Sequence, residues 1–198
     1  MLPKWYWEYK QFIESSINCY LEKYLEKNIT NKWLLRFKEI IFYSIKWWKR
    51  IRSVLALEFF LVFSWKEFNN ISENDDIIKF CIALELIHAY SLIHDDLPSM
   101  DNDEYRRWEL TVWKKYSEYE AVLVWDLLNT LSFEVLSEIS DNTIAISLIK
   151  LLSNSSWFYW MIWWQVDDMY FENNFNELNL DKLLNLHNKK TWALIESS

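Results

Sequence analysis

Apolar residues recur at three- and four-residue spacing along most of this chain, which is the pattern of helices with one buried face. The clearest stretch runs from Cys81 to His94, and a second stretch, from Tyr119 to Ile139, repeats the pattern over several turns. The same spacing predicts further helices, which are Tyr6–Lys27, Leu34–Lys46, Ser53–Phe63, Thr143–Leu152 and Leu180–Lys190.

Polar segments separate the predicted helices, and they are Lys66–Asp76, Leu97–Arg107, Ser140–Asn142 and Phe171–Asn179. No run of strict alternation between apolar and polar residues is bounded by turn residues, so we expect no sheet. The chain also shows no internal repeat and no linker between domains. These features predict an all-α protein in which long antiparallel helices form a bundle.

The net charge bears on the class of partner. The chain has 198 residues and a net charge of −8, and 52% of its residues are hydrophobic, which is ordinary for one soluble globular domain. An acidic protein is a poor partner for nucleic acid, because phosphate backbones select basic surfaces. We therefore expect no nucleic acid as a partner.

Three features of the sequence predict a cytoplasmic protein. Cys19 and Cys81 lie far apart without metal-ligand spacing, as expected of thiols in a reducing compartment. The N-terminus lacks the apolar core of a signal peptide. The longest uncharged apolar run, Ser153–Val166, is shorter than the ~20 residues that span a bilayer. We expect no membrane span.

Glycine is absent from the chain, whereas tryptophan occurs 14 times. Average usage of ~7% predicts roughly 14 glycines in this length, and folded chains need glycine where the backbone takes a positive φ. One interpretation is an aromatic-rich protein of a membrane interface. The other is that most tryptophans stand where the organism inserts glycine, because it decodes UGA codons as glycine.

An acidic segment closes the Cys81–His94 helix and is the strongest chemical feature of the sequence. Its carboxylates are Asp95, Asp96, Asp101, Asp103 and Glu104. Such a cluster repels itself unless a cation lies among the carboxylates, and magnesium binds through one or two carboxylates plus substrate phosphates. The alternative is a solvated acidic loop. Arg106 and Arg107 follow at once, and arginines beside a bound cation are suited to diphosphate recognition.

A second basic cluster places Lys49 and Arg52 on one face of a helix. Alone, this cluster would be interpreted as a solvated basic turn. His88 lies two helical turns before Asp95 and faces the same side of its helix. A single helix histidine is more often structural, but the alignment with the acidic segment favours a functional role.

Five segments together resemble the trans-prenyl diphosphate synthases of the polyprenyl synthetase family, of the bacterial farnesyl diphosphate synthase type. Trp47–Arg52 is similar to the family's GGKRIR segment, and Leu84–Thr111 to its first aspartate-rich region. Val124–Asp126 is similar to its VGD, Trp160–Gln165 to its GMIGGQ, and Lys189–Ala193 to its KKTGA. The resemblance implies the isoprenoid synthase fold, a helical bundle around a central cavity.

Tryptophan occupies the family's glycine position in every one of these segments. Trp65 falls in a glycine position as well, whereas the family accepts an aromatic residue at the position of Trp113. This coincidence favours glycine in the native protein over an aromatic-rich interfacial protein.

The resemblance implies a role for each candidate site residue. Asp95 and Asp101 would bind magnesium, with Asp96 supporting them. The residues expected to bind isopentenyl diphosphate are Lys49, Arg52, His88 and Arg107. The residues expected on the allylic side are Arg106, Gln165, Lys190 and Thr191, of which Lys190 would also stabilise charge.

The implied reaction joins dimethylallyl or geranyl diphosphate to isopentenyl diphosphate and gives farnesyl diphosphate. The allylic tail would run from Asp95 toward the N-terminus of its helix and meet Tyr90 and Ser91 about one turn, ~5.4 Å, away. Tyr90 is bulky enough to close the channel, and Ser91 leaves room. The alternatives are that Tyr90 only packs in the core and that the product is geranylgeranyl diphosphate.

The family's chains continue to a second aspartate-rich motif on a later helix. We therefore expect residues 1–198 to be a single polyprenyl synthetase domain that is truncated at its C-terminus, with the C-terminal helices missing. An inactive truncated synthase is one alternative. A terpene cyclase has no second diphosphate for Lys49, Arg52 and His88 to hold, and a non-catalytic partner subunit usually lacks an intact aspartate motif. The family generally forms homodimers, and we expect one here.

Overall fold

The structure is a computed structural model that describes residues 3–46, 49–156 and 170 of the chain. Its α-helices are α1 (Lys4–Asn28), α2 (Lys32–Ser44), α3 (Ile51–Ser64), α4 (Asp76–Asp96), α5 (Val112–Lys115), α6 (Glu118–Ser137) and α7 (Asn142–Ser156). A single 3-10 turn, Phe68–Asn70, lies between α3 and α4, and the short strands β1 (Tyr105–Arg106) and β2 (Glu109–Leu110) lie between α4 and α5. The all-α prediction is confirmed.

The predicted helices agree with the observed ones except at their ends. The largest difference is at α4, which begins at Asp76 although the regular apolar spacing begins at Cys81. An acidic residue in the first turn favours this earlier start, because the N-terminal end of a helix carries partial positive charge. The predicted helix Leu180–Lys190 lies outside the described residues.

The chain divides into two compact units, Met1–Ile139 and Ser140–Ser198. The first unit contains α1 to α6 and the two strands, and it holds every described residue of the predicted site. The second unit contains α7, whose first turn is capped by Asp141, since the Asp141 carboxylate accepts from the Thr143 N–H at 2.7 Å. A single domain for the whole chain stays a prediction.

α4 is the core helix of the first unit. It packs against α6, α3 and α1, and its buried side chains lie on all sides of the helix, as in a helix that others surround. Among the described helices, only α4 is long and apolar enough to cross a membrane, and 67% of its most apolar stretch is buried inside the protein. Such burial is typical of a core helix.

A two-stranded hairpin contradicts the expectation that the chain has no sheet. Tyr105 pairs with Leu110 and Arg106 pairs with Glu109. Strands of two residues are too short to show an alternating pattern, so the sequence could not reveal them. The turn residues Arg107 and Trp108 have φ values of 52° and 71°, as in two-residue hairpin turns whose central residues both have positive φ.

Two tryptophans take left-handed backbone conformations that favour glycine. Trp65 follows the end of α3 with a φ of 56°, and Trp108 is the second residue of the hairpin turn. Their side chains are 94% and 99% exposed, so packing of the indoles does not offset the backbone strain. Glycine is the usual residue just after a helix and in a turn of this kind. Both positions support the hypothesis of glycine in the native protein.

Candidate active site

The acidic segment folds back over the C-terminal end of α4. The Asp101 N–H donates to the Asp95 carbonyl at 2.9 Å, and the Asn102 N–H donates to the Leu97 carbonyl at 3.1 Å. The first of these bonds satisfies a carbonyl that the end of a helix leaves open. The backbone therefore brings Asp101 next to Asp95, six positions earlier in the chain.

Asp96 is paired with an arginine. Its Oδ1 accepts from the Arg106 Nε–H at 2.6 Å, and its side chain is 6% exposed. Burial raises the pKa of Asp96 to about 6, although the Arg106 guanidinium opposes that rise. Arg106 also lies 3.7 Å from Asp103. The pair ties β1 to the end of α4 and holds Arg106 beside the acidic segment.

The acidic segment offers the oxygen ligands that magnesium prefers. The Asp101 side chain is exposed and the Asp95 side chain is partly exposed, whereas Asp96 is engaged by Arg106. In the part of the chain that the structure describes, no three His, Cys, Asp or Glu side chains already form a metal site. Magnesium needs no such cage, because substrate phosphates supply several of its ligands. These carboxylate oxygens fit magnesium. Asp95 and Asp101 are the candidate ligands, and Asp96 would support them.

His88 lies among positive charges. Burial lowers its pKa well below the usual value, and four guanidinium groups lower the pKa further. These groups belong to Arg52, Arg107, Arg50 and Arg106. His88 is therefore uncharged at neutral pH. The structure brings α3, α4 and the hairpin turn together around this residue.

Arg52 has a buried nitrogen for which the described residues provide no hydrogen-bond partner. Burial lowers its pKa, Glu85 opposes that change, and Arg107 adds to it. The Arg52 Nε is buried and has no hydrogen-bond partner among the described residues. A buried donor without an acceptor costs about 1–3 kcal/mol. An anion that reached Arg52 would remove this cost, so Arg52 and Arg107 form a candidate phosphate site.

Lys49 is exposed, and its backbone is anchored. The Tyr6 hydroxyl of α1 donates to the Lys49 carbonyl. The next residue, Arg50, is buried and donates from Nη1 to the Glu85 carboxylate of α4 at 3.0 Å. Sequence reasoning missed Arg50 and Glu85. The available signal was a single carboxylate in the apolar run of α4, since a buried charge has to be paired.

Tyr90 and Ser91 are both buried on α4. The Tyr90 ring stacks on Trp125 of α6, with 6.0 Å between ring centroids, and Trp125 also contacts the His94 ring at 4.9 Å. The Ser91 hydroxyl donates to the His88 carbonyl at 2.9 Å. Trp125 stands in a glycine position of the family motif, so glycine there would leave one face of the Tyr90 ring open.

Other predicted site residues lie outside the described part of the chain. They are Gln165, Lys190 and Thr191, together with Trp47, Trp48, Trp163 and Trp164. Their assignments stay predictions.

Comparison with known proteins identifies the family of this chain. The family model for polyprenyl synthetase matches residues 35–198. The chain belongs to the polyprenyl synthetase family. It is 41% identical to a farnesyl diphosphate synthase of Micrococcus luteus over 166 residues, which cover 82% of this chain and 54% of that protein. It is 32% identical to the farnesyl diphosphate synthase of Geobacillus stearothermophilus over 96% of this chain and 61% of that protein. The chain thus spans little more than half the length of these polyprenyl synthetase relatives.

Solved structures show the same fold. A geranyltransferase from Legionella pneumophila matches with a TM-score of 0.79 and 29% identity, over 97% of this chain and 67% of that one. A Helicobacter pylori geranyltransferase complexed with magnesium and isoprenyl diphosphate matches with a TM-score of 0.74 and 34% identity, over 94% of this chain and 62% of that one. The isoprenoid synthase fold of this polyprenyl synthetase chain is therefore confirmed.

Proposed function

We propose that this chain carries the diphosphate-binding part of a farnesyl diphosphate synthase. One observation supports the proposal above the others. The acidic segment at Asp95 and the cationic cluster around His88 lie on the same helix, seven residues apart. Seven residues of α-helix rise about 10 Å, so two diphosphates can be held side by side with their carbon chains in reach of each other.

The reaction breaks the C–O bond between the allylic carbon and its diphosphate and leaves an allylic carbocation. The double bond of isopentenyl diphosphate attacks this cation, a C–C bond forms, and a proton is lost from the adjacent carbon. Magnesium held by Asp95 and Asp101 would supply Lewis-acid neutralisation of the departing diphosphate. Arg106, fixed by Asp96, adds positive charge on the same side.

The second substrate is held by the cluster around His88. The guanidinium groups of Arg52 and Arg107 bind the diphosphate of isopentenyl diphosphate with charge-assisted hydrogen bonds. Lys49 adds a third cation from the turn before α3. His88 is neutral, so it retains one ring nitrogen as a donor and the other as an acceptor.

The remaining assignments complete the proposal. Gln165, Lys190 and Thr191 contact the allylic diphosphate, and Lys190 stabilises charge there. The active form is a homodimer in the cytoplasm. The residue assignments and the homodimer rest on the family resemblance, and the cytoplasmic location rests on the cysteines, the N-terminus and the short apolar runs of the sequence.

Chain length is set along α4. Tyr90 is 8% exposed and precedes Asp95 by five residues of α4, so its ring would meet the allylic tail about one turn from the diphosphate and end the space for it. We expect Tyr90→Ala to shift the product mixture toward geranylgeranyl diphosphate, as measured by chromatography of the dephosphorylated products. Ser91→Ala is the matched control on the adjacent residue, because it removes no bulk from the channel. An unchanged mixture in Tyr90→Ala would place the end of the channel elsewhere.

The test of the function is a turnover assay on the complete product of the gene. The protein is incubated with magnesium, geranyl diphosphate and labelled isopentenyl diphosphate. The expected product is farnesyl diphosphate, and chelation of magnesium should abolish it. Geranylgeranyl diphosphate as the main product would support the alternative chain length. No condensation with any allylic substrate would contradict the proposal and favour an inactive protein.

A further inference from the structure

Arg50 combines a strained backbone with a buried side chain. It precedes α3 with a φ of 54°, in the left-handed region, which costs a residue with a Cβ on the order of 1 kcal/mol or more. Its side chain is 4% exposed. Strain of this kind persists only where the surroundings hold it in place. The contacts of Arg50 therefore have to hold this turn in its left-handed conformation.

The contacts of Arg50 show what holds the turn. Its guanidinium donates from Nη1 to Glu85 Oε2 at 3.0 Å and from Nη2 to the Ile45 carbonyl at 2.7 Å. Ser53 donates to the other carboxylate oxygen, Glu85 Oε1, at 2.7 Å. Glu14 of α1 lies 3.7 Å from the Arg50 Nε. One buried carboxylate thus joins α4 to both sides of the start of α3.

The residues that this cluster fixes are those expected to bind isopentenyl diphosphate. Lys49 and Arg52 flank Arg50 closely in the chain, and the Glu85 charge reaches the Arg52 guanidinium. Glu85 is one helical turn before His88 on the same face of α4. The buried pair therefore lies directly behind the cationic cluster and outside the contacts assigned to substrate.

We propose that the buried Arg50–Glu85 ion pair is a positioning device for isopentenyl diphosphate. It fixes the left-handed turn that presents Lys49 and Arg52 to the diphosphate, and it acts through these residues without touching the substrate. The inference rests on the proposed function of the site.

A second effect of Glu85 has the opposite sign and has to be separated from positioning. As a negative charge beside Arg52, Glu85 reduces the attraction of the cluster for an anion. If charge alone mattered, Glu85→Gln would bind isopentenyl diphosphate more tightly and Glu85→Asp would bind it unchanged. Positioning requires both variants to bind it more weakly, because both break the geometry that holds Arg50 and Ser53.

The experiment measures KM for isopentenyl diphosphate, KM for geranyl diphosphate and kcat in Glu85→Asp, Glu85→Gln and Arg50→Lys of the complete protein. We expect KM for isopentenyl diphosphate to rise roughly tenfold or more in each, which is the effect of misplacing charge-assisted contacts. KM for geranyl diphosphate should change by less than about threefold. Isothermal titration with isopentenyl diphosphate gives the same comparison without turnover.

The chain offers a matched control in Glu120, a buried carboxylate that has no assigned part in the site. Glu120 is 1% exposed and pairs with Arg36, and neither residue is assigned to substrate. Glu120→Asp should lower the melting temperature as Glu85→Asp does and leave both KM values unchanged. If circular dichroism shows that Glu85→Asp fails to fold, Ser53→Ala replaces it and is expected to raise KM for isopentenyl diphosphate in the same way. Ser53→Ala removes the hydroxyl that donates to Glu85 at 2.7 Å and to the Cys81 carbonyl at 3.0 Å.

The outcomes separate two failures. If the unaltered protein neither binds nor consumes isopentenyl diphosphate, the proposed function fails, and this inference fails with it. If the unaltered protein is active and the variants at Glu85 and Arg50 shift KM no more than Glu120→Asp does, the proposed function stands and the positioning role is overturned.

Discussion

The acidic and cationic halves of the site are built in different ways. The acidic half comes from one continuous segment, in which Asp101 bonds back to Asp95 and Arg106 closes on Asp96. The cationic half is assembled from three separate segments, with Arg52 on α3, His88 on α4 and Arg107 in the hairpin turn. A local pattern is enough to specify the first half. The second half exists only after the helices have packed.

The halves also differ in how their charges are balanced. Asp95 and Asp101 keep contact with solvent and can take a cation from it. The cationic half is partly buried and contains its own carboxylate, Glu85, which is 1% exposed. The acidic half therefore needs a cation from solution to balance its charge, whereas part of the charge of the cationic half is balanced by the buried carboxylate of Glu85.

Loss of Asp95 should affect the acidic half alone and have the largest effect. Asp95→Asn is expected to lower kcat by roughly a thousandfold, because the departing diphosphate would lose electrostatic stabilisation. KM for isopentenyl diphosphate should rise by less than about threefold, since that substrate binds at the other half. Steady-state assays over a range of magnesium concentrations provide the measurement. Glu73→Gln, which changes an exposed carboxylate outside the site, is the control. If Asp95→Asn raised KM for isopentenyl diphosphate as strongly as it lowered kcat, the two halves of the site would not act separately.

Loss of Arg52 should affect the cationic half. Arg52→Gln is expected to raise KM for isopentenyl diphosphate by about 10–100-fold, the effect of removing charge-assisted hydrogen bonds. The magnesium dependence of the reaction should not change. Lys32→Gln removes an exposed cation outside the site and serves as control. A shift of the magnesium dependence in Arg52→Gln would show that the halves are not separable.

His88 should give the cationic half a pH dependence of its own. Its folded pKa is below the unfolded value of 6.5, so its contribution to stability is present above that pH and is lost as the pH falls. The free energy of unfolding should fall by about 1.4 kcal/mol per pH unit from this group, until the folded pKa is reached. Urea unfolding of the protein and of His88→Gln between pH 7 and pH 5 isolates this contribution. Parallel curves for the two proteins would rule it out.

Replacing the tryptophans at two turns with glycine should have the smallest effect of these changes, and it should stabilise the protein rather than weaken it. Trp108→Gly, beside Arg107 of the cationic half, and Trp65→Gly should each raise the free energy of unfolding by about 1 kcal/mol, since glycine takes a positive φ without steric cost. Trp113→Gly is the matched control and should lower it, because the Trp113 indole donates to the Asp103 carbonyl at 2.9 Å.

The same hypothesis can be examined in the organism itself. Mass spectrometry of peptides from the native protein should show glycine at Trp65 and Trp108. It should also show glycine in the motif positions Trp47, Trp48, Trp163 and Trp164. Intact indoles at these positions would end the hypothesis of reassigned codons.

Much of the fold could be predicted from the sequence, and so could candidate residues for both halves of the site, those of the cationic half chiefly through the family resemblance. The apolar spacing gave the helices, and the carboxylates around Asp95 identified the acidic half, because both patterns are local. The hairpin was missed, since two-residue strands carry no periodic signal. The Arg50–Glu85 pair was missed because its two residues are 35 positions apart in the chain. Only the packed structure shows that the Arg50 side chain points inward to Glu85 while Arg52 remains at the site.

The relative orientation of the two halves of the site depends on the number of residues between them on α4. His88 and Asp95 face the same side of α4 because seven residues make nearly two complete turns. Inserting or deleting one residue between them would rotate the acidic segment by about 100° relative to the cationic cluster, even if every side chain were retained. Evolution can therefore alter the residues of this stretch far more readily than its length. Changes of substrate in such a protein have to come through substitution in α4, or through insertions in loops that leave its register intact.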